Sequence, residues 1–238
     1  MKSKCLIYIF ILFILGCKNS NFIDNSLVEK AVINGNLAQE SFKRSLNFTN
    51  AWLKMRDSES GLIPTNLNKK IDLWEPANSA ADNYPFMVLT AYLLDKDLYN
   101  GVLLDMLNNE KKLTSRIGSL PDVYSFTKKT FENEILDLGN IIFGASEYIK
   151  DGLMPLNEFI GPSPWQERMI EILEDLYIHI SDFDSLDTYY TKSSYVEEIN
   201  GEMLQTLSRV YWMTSDQKYL DWAIKIADHY LLEIDLSN

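Results

Sequence analysis

The chain has 238 residues, with 34 acids against 22 bases, a formal net charge of −12 and a sequence pI near 4.6. So acidic a protein repels nucleic acid and anionic lipid headgroups, and no nucleic-acid partner is expected. The apolar content of 46% is ordinary for a globular protein, and the length suits a single domain with one sizeable core.

In chain order, the first sixteen residues read as a secretory signal. Lys2 and Lys4 give a basic start, and residues 6–15 form an apolar run too short to span a bilayer. The junction Ile14-Leu15-Gly16-Cys17 resembles the bacterial lipobox. That resemblance implies cleavage before Cys17, lipidation of Cys17 and a mature chain anchored to a membrane of the bacterial cell envelope. Several acyl chains on one residue exceed the two-signal threshold for stable anchoring. Lys18, where an Asp would resemble an inner-membrane retention signal, points to the outer membrane. The expected organisation is a signal peptide over 1–16, the lipidated Cys17 and a tether over 17–26, and one domain over 27–238. Cys5 lies in the removed segment, so no cysteine is left for a disulfide or a Cys-based metal site.

The rest predicts an all-α domain. Helices are expected at 27–55, 79–95, 97–110, 131–150, 164–180, 197–214 and 216–234, with Asn34-Gly35-Asn36 a weak point of the first. The clearest stripe is Trp165, Met169, Ile172, Leu173, Leu176 and Ile180, with Glu167, Glu171, Glu174 and Asp175 opposite. The last helix repeats it with Tyr219, Ala223, Ile226, Tyr230 and Ile234. No segment alternates with period two, so no sheet is expected. Short corners, Asp95-Lys96-Asp97 and Thr214-Ser215-Asp216, join the second helix to the third and the sixth to the seventh. Long connections precede the second, fourth and sixth. In antiparallel hairpins the long loops gather at one end. They carry Trp74, Tyr124, Tyr189 and Tyr190, and long loops in compact domains are commonly functional. The link between the fourth and fifth helices, "DGLMPLNEFIGPSP", is longer than that scheme predicts.

The stretches "RDSESGLIP", "SAADNYPF", "GASEYIKDGLMP" and "LSRVYWMTSDQKYLDWAIKIADHYL" together resemble bacterial six-hairpin glycosidase-type proteins, over most of residues 40–234. The resemblance implies an (α/α)6 toroid with inner helices that begin at the face carrying the site. A complete toroid of that family has twelve helices. The seven read here imply a partial toroid, either a short form or a truncated product. An open arc would leave an apolar edge along the last helix, for which self-association is expected.

The chemistry left to such a chain is carboxylate chemistry. There is no phosphate-binding loop, dinucleotide fingerprint, zinc-protease motif or nucleophile elbow. His179 and His229 are too few for a histidine-based metal site or triad, and no cofactor or metal is expected. Glycoside hydrolysis needs two carboxyl groups, one protonated and one ionised. The mouths of the second, fourth and sixth helices each offer acids: Asp82, then Glu132 and Glu134, then Glu197, Glu198 and Glu202. Asp82, Glu134 and Glu202 are the catalytic candidates. Acids at helix N-termini also serve as plain caps, and Asp82 can cap its own helix. Asn83 and Tyr84 exceed what a cap requires, and with Trp74 they are the substrate-binding candidates. In the unsaturated glucuronyl hydrolase branch of these toroids an essential Asp precedes an aromatic residue at an inner helix mouth. "ADNYPF" is similar to that, while the branch's second Asp has no match. Glu147 and Asp151 fall at the far end of the fourth helix by this reckoning and are read as structural.

The resulting expectation is a surface-anchored carbohydrate-active protein, a glycoside hydrolase acting on polysaccharide or uronic-acid oligosaccharide. The alternatives are a non-catalytic glycan-binding helical-repeat lipoprotein, since the last hairpin also resembles a tetratricopeptide unit, and an inactive fragment.

Overall fold

The stripe Trp165, Met169, Ile172, Leu173, Leu176 and Ile180 is buried along its whole length, on a helix spanning Pro164–Ile180. Burying each large apolar side chain contributes about 1.5–3 kcal/mol, so this one face supplies much of what holds the domain together. The computed structural model describes residues 25–180 and 196–233. Cys17, Tyr189, Tyr190 and Ile234 lie outside the described residues, as do the side chains of Glu197, His229 and Tyr230.

The described chain is 73% helix and 6% strand, an all-α protein. Seven helical runs follow one another: α1 Asn25–Leu53, α2 76–94, α3 96–114, α4 138–160, α5 Pro164–Ile180, α6 Val196–Thr214 and α7 Gln217–Glu233. α1 passes through Asn34-Gly35-Asn36 without a break. Residues 1–43 form one unit and residues 44–238 another. The part of the first unit that is described, 25–43, is an exposed helical segment. All that follows concerns the second unit.

Three helices contain π-helical turns: Pro76–Asn83 opens α2, Tyr99–Leu103 lies inside α3, and Tyr148–Leu153 lies inside α4. α3 also kinks at Gly101 (φ −101°, ψ −108°). The boundaries of α4 differ most from expectation. Asp137 caps it, its Oδ1 accepting from the Asn140 N–H at 3.1 Å, so the helix starts seven residues later than "FENEIL" suggests. It then runs past Pro155 to Gly161, a left-handed residue (φ +70°). Proline is tolerated there because the π turn has already displaced the backbone bond that it would break. Much of the long link to α5 is therefore helix.

The expectation of no sheet is corrected in a small way. β1 (Leu73–Trp74), in the α1–α2 connection, pairs antiparallel with β4 (Tyr124–Ser125), in the α3–α4 connection, and β4 pairs with β5 (Thr130–Phe131). A second ribbon joins β2 (Ser115–Ile117) to β3 (Leu120–Pro121) across Gly118 (φ +54°). The first two long connections thus meet and are hydrogen-bonded together.

Side-chain contacts fix the helix directions. A Cβ on Gly144 would lie 2.7 Å from Pro76 Cγ, and one on Gly152 would lie 3.0 Å from Ala81 Cα and 3.0 Å from Pro85 Cγ. Contacts therefore advance together along α2 and α4, and the two helices run parallel. α4 and α6 do the same, through Ser146–Glu202, Lys150–Glu202 and Glu158–Arg209. α5 and α7 follow suit through Glu174–Lys218 and the stacked pair Tyr177–Trp222, with centroids 3.8 Å apart. Arg168 and Glu110, both buried, bind α5 to α3. The even-numbered helices thus share one direction and one side.

Candidate functional site

That shared side carries a cluster of ionisable groups. Glu202 sits within α6 and is only 5% exposed. Its two oxygens accept from Ser146 Oγ at 2.5 Å and from Lys150 Nζ at 2.8 Å, both on α4. Lys150 also donates to Glu147 Oε1 at 2.8 Å and lies 3.2 Å from Asp151 Oδ2. Burial alone would lower the Lys150 pKa, but its hydrogen bonds to Glu147 and Glu202 and the nearby negative charge outweigh it and raise it. The π turn over Tyr148–Leu153 begins directly after Glu147 and holds both Lys150 and Asp151.

Two carboxyl groups of this cluster titrate above their ordinary values. Glu147 is raised by burial and by the neighbouring Glu202 carboxyl group, more than Lys150 lowers it. Asp82, an exposed residue of α2, is raised by partial burial and then by the negative charge of Asp151 and Glu147. Glu147 therefore acts on Asp82 through its charge and is linked to Glu202 through Lys150. These are the conditions that leave one acid of a group protonated while its neighbours are ionised. Carboxylate oxygens of Glu147, Glu198 and Glu202 all lie within 4.8 Å of one another, a set that could ligate a hard cation. The Lys150 ammonium already serves two of the three, so the lysine fills the electrostatic role of that cation.

One turn beyond Asp82 on α2, Phe86 is 55% exposed, and the Asp82-to-Phe86 spacing puts both on one face of the helix. At the far end of the cluster Arg209 of α6 makes a two-pronged pair with Glu158 of α4, at 2.7 and 2.6 Å. Asp151 also acts on Arg209 through its charge.

The residues expected from sequence divide as follows. Asp82 and Glu202 are both coupled to the same third group, Glu147, the first through its charge and the second through Lys150. Asp82 lies inside α2 and not at its mouth, which is Glu75-Pro76, so it is not the helix cap that was expected. Glu134 is in the loop before α4, exposed, and its backbone carbonyl accepts from Arg116 at 2.8 Å; it does not join the cluster. Trp74 and Tyr84 are buried. Trp74 packs edge-on against Tyr148, with centroids 6.4 Å apart, and the Tyr84 hydroxyl donates to the Leu103 carbonyl at 2.7 Å and accepts from Trp165 Nε1 at 2.8 Å. Neither ring offers a face to a ligand. Asn83 is half-buried beside Asp82. Glu147 and Asp151, read as structural, are the groups that join Asp82 to Glu202. Their i, i+3, i+4 spacing with Lys150 carried the signal, once the helix is known to continue past residue 151. Trp212 of α6 is 77% exposed.

A groove of about 460 Å³ lies on the joined loops, lined by Met55, Asp57, Ile71, Asp72, Phe126 and Thr127. Its two acids are both occupied in holding the loops. Asp57 Oδ2 accepts from the Ser60 N–H at 2.7 Å and from Ser60 Oγ at 2.8 Å. Asp72 accepts from Ser125 Oγ at 2.9 Å and from the Thr127 N–H at 2.9 Å, and also from the Thr127 hydroxyl. The Thr127 hydroxyl, followed by burial working in the opposite sense and by the Ser125 bond, holds Asp72 below its ordinary range. The groove therefore has space, but its lowered Asp72 carboxyl group is not suited to proton donation.

No family model matches this chain, and no curated protein and no solved structure is significantly similar to it.

Proposed function

We propose that the exposed side of α2, α4 and α6 is a carbohydrate site, and that the protein acts on polysaccharide by carboxylate acid/base chemistry. The observation that carries this reading is Asp82. It is accessible, it is raised by burial and by Asp151 and Glu147, and it lies one turn from an exposed aromatic ring. A raised, accessible carboxyl group is what protonation of a glycosidic oxygen requires. Asp151, exposed and acting on Asp82 through its charge, would take a proton from the attacking water. Glu202, buried and bound by Ser146 and Lys150, positions Glu147 and Lys150 and does not touch substrate. Phe86 takes the stacking role assigned from sequence to Trp74 and Tyr84. The parallel even-numbered helices support the further reading of the fold as part of an (α/α) toroid, with these helices on the inside. Cys17 would hold the chain at the outer membrane, beside the glycans it meets.

The test is Asp82→Asn. The substituted side chain is exposed, so the fold should survive, and reducing-sugar release from a polysaccharide panel should fall by about 10²–10⁴. Release by the variant equal to that of the parent would remove Asp82 from the mechanism. A second reading, glycan binding without turnover, is favoured by one observation: Lys150 ties Glu147 and Glu202 into ion pairs, which occupies two of the acids of the cluster. Retained binding with no sugar release from the parent protein would select it.

A further inference from the structure

Tyr148 of α4 is fully buried, and its hydroxyl has no hydrogen-bond partner among the described residues. A buried hydroxyl without a partner costs the whole of its lost hydration, so such groups are rare. Tyr148 lines a small cavity of about 10 Å³ together with Leu62, Ile63, Trp74, Tyr84 and Glu110. That is room for about one water molecule.

The polar groups around the cavity have unused capacity. A carboxylate offers about four acceptor sites. Glu110 uses three of them, for Arg168 Nε at 3.0 Å, Arg168 Nη2 at 2.6 Å and Thr114 Oγ1 at 3.1 Å. The Tyr84 hydroxyl gives its proton to the Leu103 carbonyl and accepts one bond from Trp165, which leaves one lone pair. Tyr148 has a proton to give. A buried water typically makes about three hydrogen bonds, and it needs polar partners to be held at all.

We propose that this cavity is a binding site for one ordered water, which accepts from Tyr148 Oη and donates to the Glu110 carboxylate and to Tyr84 Oη. The site joins α2, α3 and α4 through Tyr84, Glu110 and Tyr148. It extends the buried Glu110–Arg168 pair, which lies between α3 and α5, to the helix that carries Glu147 and Lys150. The remaining wall is apolar, so nothing larger or charged is recognised there.

The sign of one substitution tests the site. Tyr148→Phe keeps the ring and removes only the hydroxyl. With the water in place the variant loses one of the water's three bonds, and the full-length chain should melt about 2–4 °C lower. With an unpartnered hydroxyl the same change removes a penalty, and the variant should melt as high as the parent or higher. That result would overturn the proposal. A crystal structure of the parent supplies the direct measurement. Electron density for a water within about 3.2 Å of Tyr148 Oη is expected. A cavity without density, or a Tyr148 hydroxyl bonded to a protein group, would also overturn it.

Discussion

Arg168 is the best single place to test the buried architecture. Its side chain is 1% exposed and that of its partner Glu110 is 3% exposed. Its guanidinium makes two bonds to Glu110, at 3.0 and 2.6 Å, and one each to the Ser119 carbonyl at 2.8 Å and Ser115 Oγ at 3.2 Å. Those bonds hold α3, α5 and the β2–β3 ribbon to one another. Arg168→Met keeps the volume and removes all four. Glu110 is then left buried with Thr114 Oγ1 as its remaining side-chain partner. Removing one member of a buried pair costs about 3–5 kcal/mol, against a typical net stability of about 5–15 kcal/mol. At about 2–4 °C per kcal/mol for a domain of this size, Tm should fall by roughly 6–20 °C. The assay is thermal and urea unfolding followed by far-ultraviolet circular dichroism. The deficit should shrink at acid pH, where a buried carboxylate without its cation takes up a proton. Glu110→Leu combined with Arg168→Met should recover most of the loss, since apolar replacements of a buried pair are often neutral. A single variant that melts within about 2 °C of the parent, or a double variant worse than the single, would refute this account of the pair.

The remaining predictions concern the site and its anchor. Gly152→Ala should lower Tm and weaken glycan binding. Its new methyl would meet Ala81 Cα and Pro85 Cγ at 3.0 Å and the Ala80 carbonyl at 3.2 Å, which pushes α2 from α4 and Asp82 from Asp151; an unchanged melt and affinity would mean that the seam has slack. Glu147 has a folded-state pKa above its ordinary 4.5, so the folded protein holds that proton more tightly than the unfolded chain does. This contribution to stability is complete below about pH 4.5 and is lost as pH rises through the raised value. Glu147→Gln should therefore match the parent at low pH and become relatively more stable towards pH 7, and a parallel pair of Tm-against-pH curves would exclude the raised pKa. By the same reasoning Asp82→Asn should melt no lower than the parent while losing activity; a clear loss of stability would make Asp82 a structural residue. Cys17→Ser should move the protein from the membrane fraction to the soluble fraction, and continued sedimentation with membranes would end the anchor proposal.

Much of the helical frame was legible because it rests on local periodicity. The α5 stripe is buried where it was expected, and Tyr219, Ala223 and Ile226 of α7 are buried too. What failed depends on contacts distant in sequence. β1 and β4 are two residues each, too short to alternate, and they exist because two loops meet. That meeting closes Trp74 over Tyr148, so a loop aromatic that reads as accessible becomes core. Glu132 and Glu134 looked like the first turn of a helix because acids prefer that position. They instead follow a hairpin whose turn is made by Lys129 in the left-handed region (φ 55°). The real start, Asp137 with Asn140 three residues on, is a quieter capping signal. The fourth helix was expected to end at residue 150, and its passage beyond Pro155 depends on a π turn that no 3.6-residue pattern reveals.

The same π turns explain why acids converge where sequence alone left them apart. Small residues, Ala80 and Ala81 on α2 and Gly144 and Gly152 on α4, allow the two backbones to come together. With the helices that close and parallel, polar side chains leaving the exposed side of each are forced towards one another. Asp82 then meets Asp151 and Glu147, and α6 adds Glu202 from the other flank of α4. Such crowding of like charge opposes folding, and Lys150 relieves only part of it because it faces Glu147, Asp151 and Glu202 together. A purely structural surface would be more stable with Asp82 or Glu147 neutral. Tight apolar packing on the buried side of the seam holds the arrangement in place regardless. That is the pattern expected when local stability is given up for chemistry at a site. The roomier groove lacks that pattern, because its two aspartates accept hydrogen bonds from the joined loops.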